Sequence, residues 1–211
     1  MKKNFYGAII GLLFLASSTQ IIYSQNSYLK NEIYAGYGVA SVPQIGISLS
    51  FAIGNLLGNT IANGIIDALG GTSVTYTEEI SGTGAISLGC NGYFSPRFYM
   101  GGQAVYERVT DKLVFSNGNT GKYHIDVGTL MVRGGYNWIN QPGFKLYSSA
   151  AIGGSLWVFT DPQGYNDMET DWDIAYQVTP LGLRFGKKWG LFIEGGFGWT
   201  GLIAAGISRK F

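Results

Sequence analysis

One cysteine, one histidine and five prolines are all that a chain of 211 residues carries of those types. The single Cys90 excludes an internal disulfide and a cysteine zinc cage. Charge is scarce as well: 13% of residues are charged, about half the usual ~25%. The formal net charge of +1 leaves no basic footprint for nucleic acid, so no nucleic-acid partner is expected. What the chain has instead is 33 glycines and 15% aromatic residues. That composition excludes a disordered chain, which would be charged and poor in aromatics. Glycine, aromatics and many uncharged polar residues together point to β-structure with one apolar face and one polar face.

The first residues read as a secretory signal. Lys2 and Lys3 form a basic start, and Phe5 to Ala16 form an apolar stretch of 12 residues. That is too short to span a bilayer as a helix, which takes ~20 residues. Ser17-Ser18-Thr19-Gln20 follows, and cleavage is expected after Ser24, with Ser18 as the other candidate. No cysteine lies near either position, which argues against a lipoprotein anchor. The expected organisation is a signal at 1–24 and one barrel domain at 25–211. Without Lys2 and Lys3 the chain holds 14 − 2 = 12 basic and 13 acidic residues, a charge of about −1.

Beyond the signal the apolar residues alternate with period 2, the mark of strands. Eight segments show it. Ile33, Ala35, Tyr37 and Val39 share one face of the first, and Glu32, Tyr34, Gly36 and Gly38 the other. Gly84 to Cys90 mark the second, Phe98 to about Val109 the third, and Tyr123 to Trp138 the fourth. Phe144 to Phe159, Trp172 to Phe185, Leu191 to Gly198 and Leu202 to Phe211 complete the set. Short connections at Ser95–Arg97, Ile139–Gly143 and Gly186–Gly190 alternate with long ones at Ser41–Thr72, Thr110–Lys122 and Thr160–Asp171. The last connection, near Trp199-Thr200, is tight. Short turns on one side and longer loops on the other are the pattern of an outer-membrane barrel.

Aromatics gather at the predicted strand ends, as interfacial girdles require. Phe94, Phe98, Trp138, Phe144, Trp189 and Phe211 fall near the short turns. Tyr106, Tyr123, Trp157, Trp172 and Trp199 fall near the long loops. Phe98 to Tyr106 is eight steps, roughly 20 Å along a tilted strand, close to the ~25 Å apolar band of such barrels. A soluble sandwich would instead carry many charges on its outward strand faces.

The last third carries a family resemblance. Ala175-Tyr176-Gln177-Val178-Thr179-Pro180-Leu181-Gly182-Leu183-Arg184-Phe185-Gly186-Lys187-Lys188 leads into Phe192-Ile193-Glu194-Gly195-Gly196-Phe197-Gly198. The chain then runs Gly201-Leu202-Ile203-Ala204-Ala205-Gly206-Ile207-Ser208-Arg209-Lys210-Phe211. This resembles the small outer-membrane β-barrel domain family, the OmpX-, OmpA- and OmpW-like barrels. The resemblance implies an all-β, eight-stranded antiparallel up-and-down transmembrane barrel, placed in the outer membrane by the barrel-assembly machinery. It also implies an assembly signal, a terminal aromatic with apolar residues at alternate positions. Ile203, Ala205, Ile207 and Phe211 match it; Arg209 stands where the family commonly has an apolar residue.

The charges inside the strands are few: Glu32, Glu107, Arg133, Arg184 and Glu194. Alternation puts each on the face opposite the Leu, Ile and Val residues, so that face is expected to be the lumen. An eight-stranded barrel is just wide enough for side chains to fill. Buried charges need partners. The expected network pairs these five, with Gln103, Tyr34 and Tyr147 bridging. Arg184 and Glu194, on consecutive strands around Lys187-Lys188, are expected to pair with each other.

Other features point to less. His124 with Asp126 two residues on could orient a general base, and some barrel enzymes that trim lipid A use a histidine, a serine and a glutamate. The position that would supply the hydroxyl is Asp126. Asp161, Asp167, Glu169, Asp171 and Asp173 could offer oxygen ligands to Ca²⁺, but without the EF-hand spacing, and a solvated acidic loop is the simpler reading. No cofactor is expected. Ile45, Leu49, Ala52, Ile53, Leu56, Leu57, Ile61 and Ile65 form a helical stripe in a segment free of charge from Ile33 to Ile66. Ile45 to Ile53 also alternate, so a strand competes locally. One or two amphipathic helices in the first external loop, about 41–72, are the preferred reading, with capping of the barrel mouth the simplest role. The expected function is non-enzymatic: an envelope component or a surface platform in a Gram-negative outer membrane, in contact with its lipid and lipopolysaccharide and with a surface partner through the loops. A narrow or gated pore and a lipid-modifying enzyme are the alternatives.

Overall fold

The structure, a computed structural model, describes residues 31–50, 52, 53, 76–115, 120–160 and 169–211. The expected signal at 1–24 and most of the expected first loop, including the stripe residues beyond Ile53, lie outside the described residues.

Among the described residues there are nine strands: β1 (Asn31–Val39), β2 (Tyr76–Gly82), β3 (Ala85–Tyr93), β4 (Phe98–Phe115), β5 (Thr120–Gln141), β6 (Gly143–Thr160), β7 (Glu169–Gly186), β8 (Trp189–Gly198) and β9 (Ile203–Lys210). All pairings are antiparallel. β3, β4, β5, β6, β7, β8, β9 and β1 pair in turn, and β1 pairs back onto β3. Eight strands therefore close the barrel. β2 is the continuation of β3: both lie against β4, with a break at Thr83-Gly84. Gly84 takes a φ of +73°, and Thr83 repairs the break by accepting from the Arg108 amide at 3.0 Å. This extension is new relative to the eight sequence segments. The expected long loop Thr110–Lys122 is also corrected. β4 and β5 stay paired well into it, through Val114↔Thr120, and β2 runs beside β4 as far as Phe115.

The barrel is apolar outside and polar inside. Leu88, Val132, Ile152, Ile174 and Leu191 face outward and are exposed, while Glu32, Gln103, Arg133 and Thr179 are buried. Phe94, Phe98, Trp138, Trp189 and Phe211 ring the short-turn end, each more than half exposed. Trp199 does not join the opposite girdle. It is buried at 5% in the lumen, because the tight β8–β9 connection folds inward.

A helix, α1, covers 42–50, not a strand. Ala40 takes the left-handed conformation at φ +57° and turns the chain off β1. Ser41 then caps the helix, its Oγ accepting from the Gln44 amide at 3.1 Å, and Pro43 fits the first turn. The apolar stripe faces away from the barrel: Ile45, Leu49 and Ile53 are exposed, while Ile47 is buried. The cap sets this phase, because the Ser41 hydroxyl is also tied to the barrel wall.

Candidate functional site: the closed lumen

The interior is built in layers by strand alternation. At the short-turn end Glu32 from β1 is the hub. It accepts from Arg184 Nε at 2.7 Å, from Lys145 Nζ at 3.0 Å and from the Tyr93 hydroxyl. Arg184 also donates to Ser208 Oγ at 2.6 Å, and Lys145 Nζ sits 4.4 Å from the centre of the Tyr93 ring. In the next layer Arg133 pairs with Glu194 and donates to Ser149 Oγ at 2.9 Å. The Tyr147 hydroxyl donates to the same carboxylate at 2.6 Å. The Arg133 guanidinium lies 5.3 Å from the Tyr34 ring centre, within cation–π range.

The expected pair Arg184–Glu194 is therefore not the pairing found. Each takes a partner across the lumen, not along its hairpin. On a flat wall these diagonal neighbours would meet each other, but an eight-stranded wall curves strongly enough to bring β1 and β5 closer to their tips.

Lys145 escaped the sequence reading. It is 3% exposed and holds Glu32. Its signal was there: it is in phase with Tyr147 and Ser149 on β6, but so close to the Gly143 turn that it reads as a rim residue.

Three tyrosines fill the layer by a repeated device. Tyr34 stands opposite Gly89, Tyr99 opposite Gly135 and Tyr147 opposite Gly182. Each ring lies so close over its glycine that a Cβ there would collide with it. The glycines are the space into which the rings fold, which accounts for part of the glycine excess. The room left in this polar layer is about 20 Å³, enough for about one water.

Above it Gln177 closes the β8–β9 turn, accepting from the Thr200 amide at 2.8 Å. Ala85, Val105, Met131, Ala151, Ala175 and Trp199 then form an apolar layer against which Val42 packs. Glu107 lies at this end, 1% exposed. No cation pairs with it among the described residues; it accepts from the Ser41 hydroxyl at the start of α1. Gln103 is buried with no partner for its Oε1.

On the outer wall His124 and Asp126 do not bond to each other. His124 Nδ1 lies 3.0 Å from Thr110 Oγ1, and Asp126 is held by Arg108 at 2.6 and 3.0 Å and by the Tyr106 hydroxyl at 2.6 Å. His124 and Asp126 are spoken for by different neighbours. Among the described residues no group of three histidine, cysteine or acidic side chains could hold a metal. Ile203, Ala205 and Ile207 face outward on β9, which zips to β1 and closes the barrel.

No family model matches this chain, and no curated protein does. Among solved structures the fold is similar to Ail, the attachment invasion locus protein of Yersinia pestis, solved in complex with the heparin analogue sucrose octasulfate. Identity is 10% over 87% of this chain and 95% of that chain, with a TM-score of 0.42.

Proposed function

We propose that this chain is a closed, non-enzymatic barrel of the Gram-negative outer membrane, an envelope component that displays α1 and its long loops at the cell surface. One observation carries the reading: the lumen is filled by an ion-paired polar layer with about 20 Å³ of free space, beneath an apolar layer and a helix. A solute path needs a continuous column of water, and this interior holds about one molecule of it at that level. The separate bonding of His124 and Asp126 supports a non-enzymatic role. The apolar outer wall supports contact with membrane lipid, and lipopolysaccharide is the outer-leaflet component beside the long loops. Delivery by the barrel-assembly machinery, through Phe211 and the alternating Ile203, Ala205 and Ile207, belongs to the same proposal. So does removal of residues 1–24.

The test is surface labelling. Leu49→Cys in a Cys90→Ala background places one thiol on the exposed face of α1. A membrane-impermeant maleimide should label it on intact cells, with the protein in the outer-membrane fraction. Labelling only after lysis, or recovery in a soluble fraction, would overturn the proposal.

A further inference from the structure

Among the described residues, exposed cations gather at the short-turn end of the barrel without exposed carboxylate side chains beside them. At the short-turn end Arg97, Lys187, Lys188 and Arg209 are all exposed. Among the described residues the carboxylate side chains near that end are Glu32 and Glu194, and both are buried in the lumen and paired. The described far rim is mixed, with Asp171 and Asp173 exposed and the exposed Arg108 paired with Asp126.

The cations at the short-turn end do not all hang below the barrel. Arg209 faces outward on β9, its guanidinium 5.3 Å from the Trp189 ring centre. Arg97 reaches the Tyr136 hydroxyl at 3.4 Å, beside the edge-to-face rings of Phe98, Tyr136 and Trp138. These rings form the aromatic girdle, so both guanidiniums sit laterally at headgroup depth. There a planar fork of donors meets a phosphate, and Arg suits bidentate phosphate binding. Lys187 and Lys188 lie next to Arg209, since the Lys210 amide donates to the Lys188 carbonyl at 2.9 Å.

We propose that the short-turn rim is a binding ring for anionic phospholipid headgroups, formed by Arg97, Lys187, Lys188 and Arg209. This rests on the membrane-barrel reading above. The lateral placement favours a bilayer lipid over a periplasmic polymer, which would approach along the barrel axis. Each cation near an anionic membrane surface contributes roughly a five-fold gain in affinity.

The experiment is native mass spectrometry of the folded barrel, titrated with phosphatidylglycerol or phosphatidylethanolamine. The wild type should retain phosphatidylglycerol preferentially. Arg97→Gln, Lys187→Gln, Lys188→Gln and Arg209→Gln should each lower that preference, by up to about five-fold, and the four together should abolish it. Arg209→Lys should keep more of it than Arg209→Gln, and Arg108→Gln at the far rim should leave it unchanged. Equal retention of the two lipids by the wild type overturns the proposal, as does a preference that survives in the four-fold variant. Cosedimentation with purified peptidoglycan that the four-fold variant loses, without a lipid preference, would reassign the ring to that polymer. A gel shift between unboiled and boiled samples is read alongside. Its absence in every lipid would mean that the membrane-barrel reading itself has failed.

Discussion

Removing Arg133 or Glu194 should expose how much the lumen depends on paired charge. The two side chains are 4% and 6% exposed and pair directly. Breaking a buried pair costs ~3–5 kcal/mol, because the survivor is left uncompensated. The survivors differ here. In Arg133→Met the Glu194 carboxylate keeps only the Tyr147 hydroxyl. In Glu194→Leu the guanidinium keeps Ser149 and the faces of Tyr34 and Tyr147. The first should therefore cost about 4 kcal/mol and the second about 3 kcal/mol. The double variant leaves no orphan charge and should cost about 4 kcal/mol, a coupling of about 3 kcal/mol. The assay is urea unfolding in lipid vesicles, followed by tryptophan fluorescence. A second cycle, Arg184 with Glu194, is the control. These two are diagonal neighbours on one hairpin but share no partner, so their effects should add to within about 0.5 kcal/mol. Additivity in the first cycle, or strong coupling in the second, would refute the layered pairing.

Other substitutions probe single elements. Lys145→Met leaves Glu32 with Arg184 and Tyr93, and should lower stability by about 1–3 kcal/mol in the same urea assay. Gly135→Ala pushes a methyl into the Tyr99 ring and should cost about 1–3 kcal/mol, while Gly134→Ala, which meets open space, should cost less than about 1 kcal/mol. Ser41→Ala removes both the helix cap and the Glu107 partner; hydrogen exchange should quicken over 42–50 with little change in the barrel strands. Deleting Phe211 should lower the amount of folded, heat-modifiable protein in outer-membrane fractions, and undiminished insertion would refute its role in assembly.

Much of this architecture is legible in the sequence because a barrel wall has a strict period. Val132 and Arg133 cannot face the same side, so the lumen residues sort themselves once the strands are placed. Charge scarcity helps, since each inward charge stands out. What alternation does not give is the partner across the lumen. Arg184 finds Glu32 and Arg133 finds Glu194 because of curvature and stagger, which are properties of the closed barrel and not of any hairpin. Two further features hide for local reasons. Lys145 sits so near its turn that its phase is easily overlooked, and Trp199 looks like a girdle residue until the tight turn carries it inward. The phase of α1 is set by one serine hydroxyl, a contact with β4 across 66 positions of sequence. The hydrophobic stripe alone points to the wrong face.

The central claim is that this barrel is shut. Single-channel recording on refolded, heat-modifiable protein in planar bilayers tests it most directly. The packed polar layer, the apolar layer and the tethered helix should give a silent membrane, with no steady ohmic steps across the voltage range that the bilayer tolerates. Reproducible, salt-proportional conductance from the wild-type barrel would contradict the account and show that water runs through the lumen.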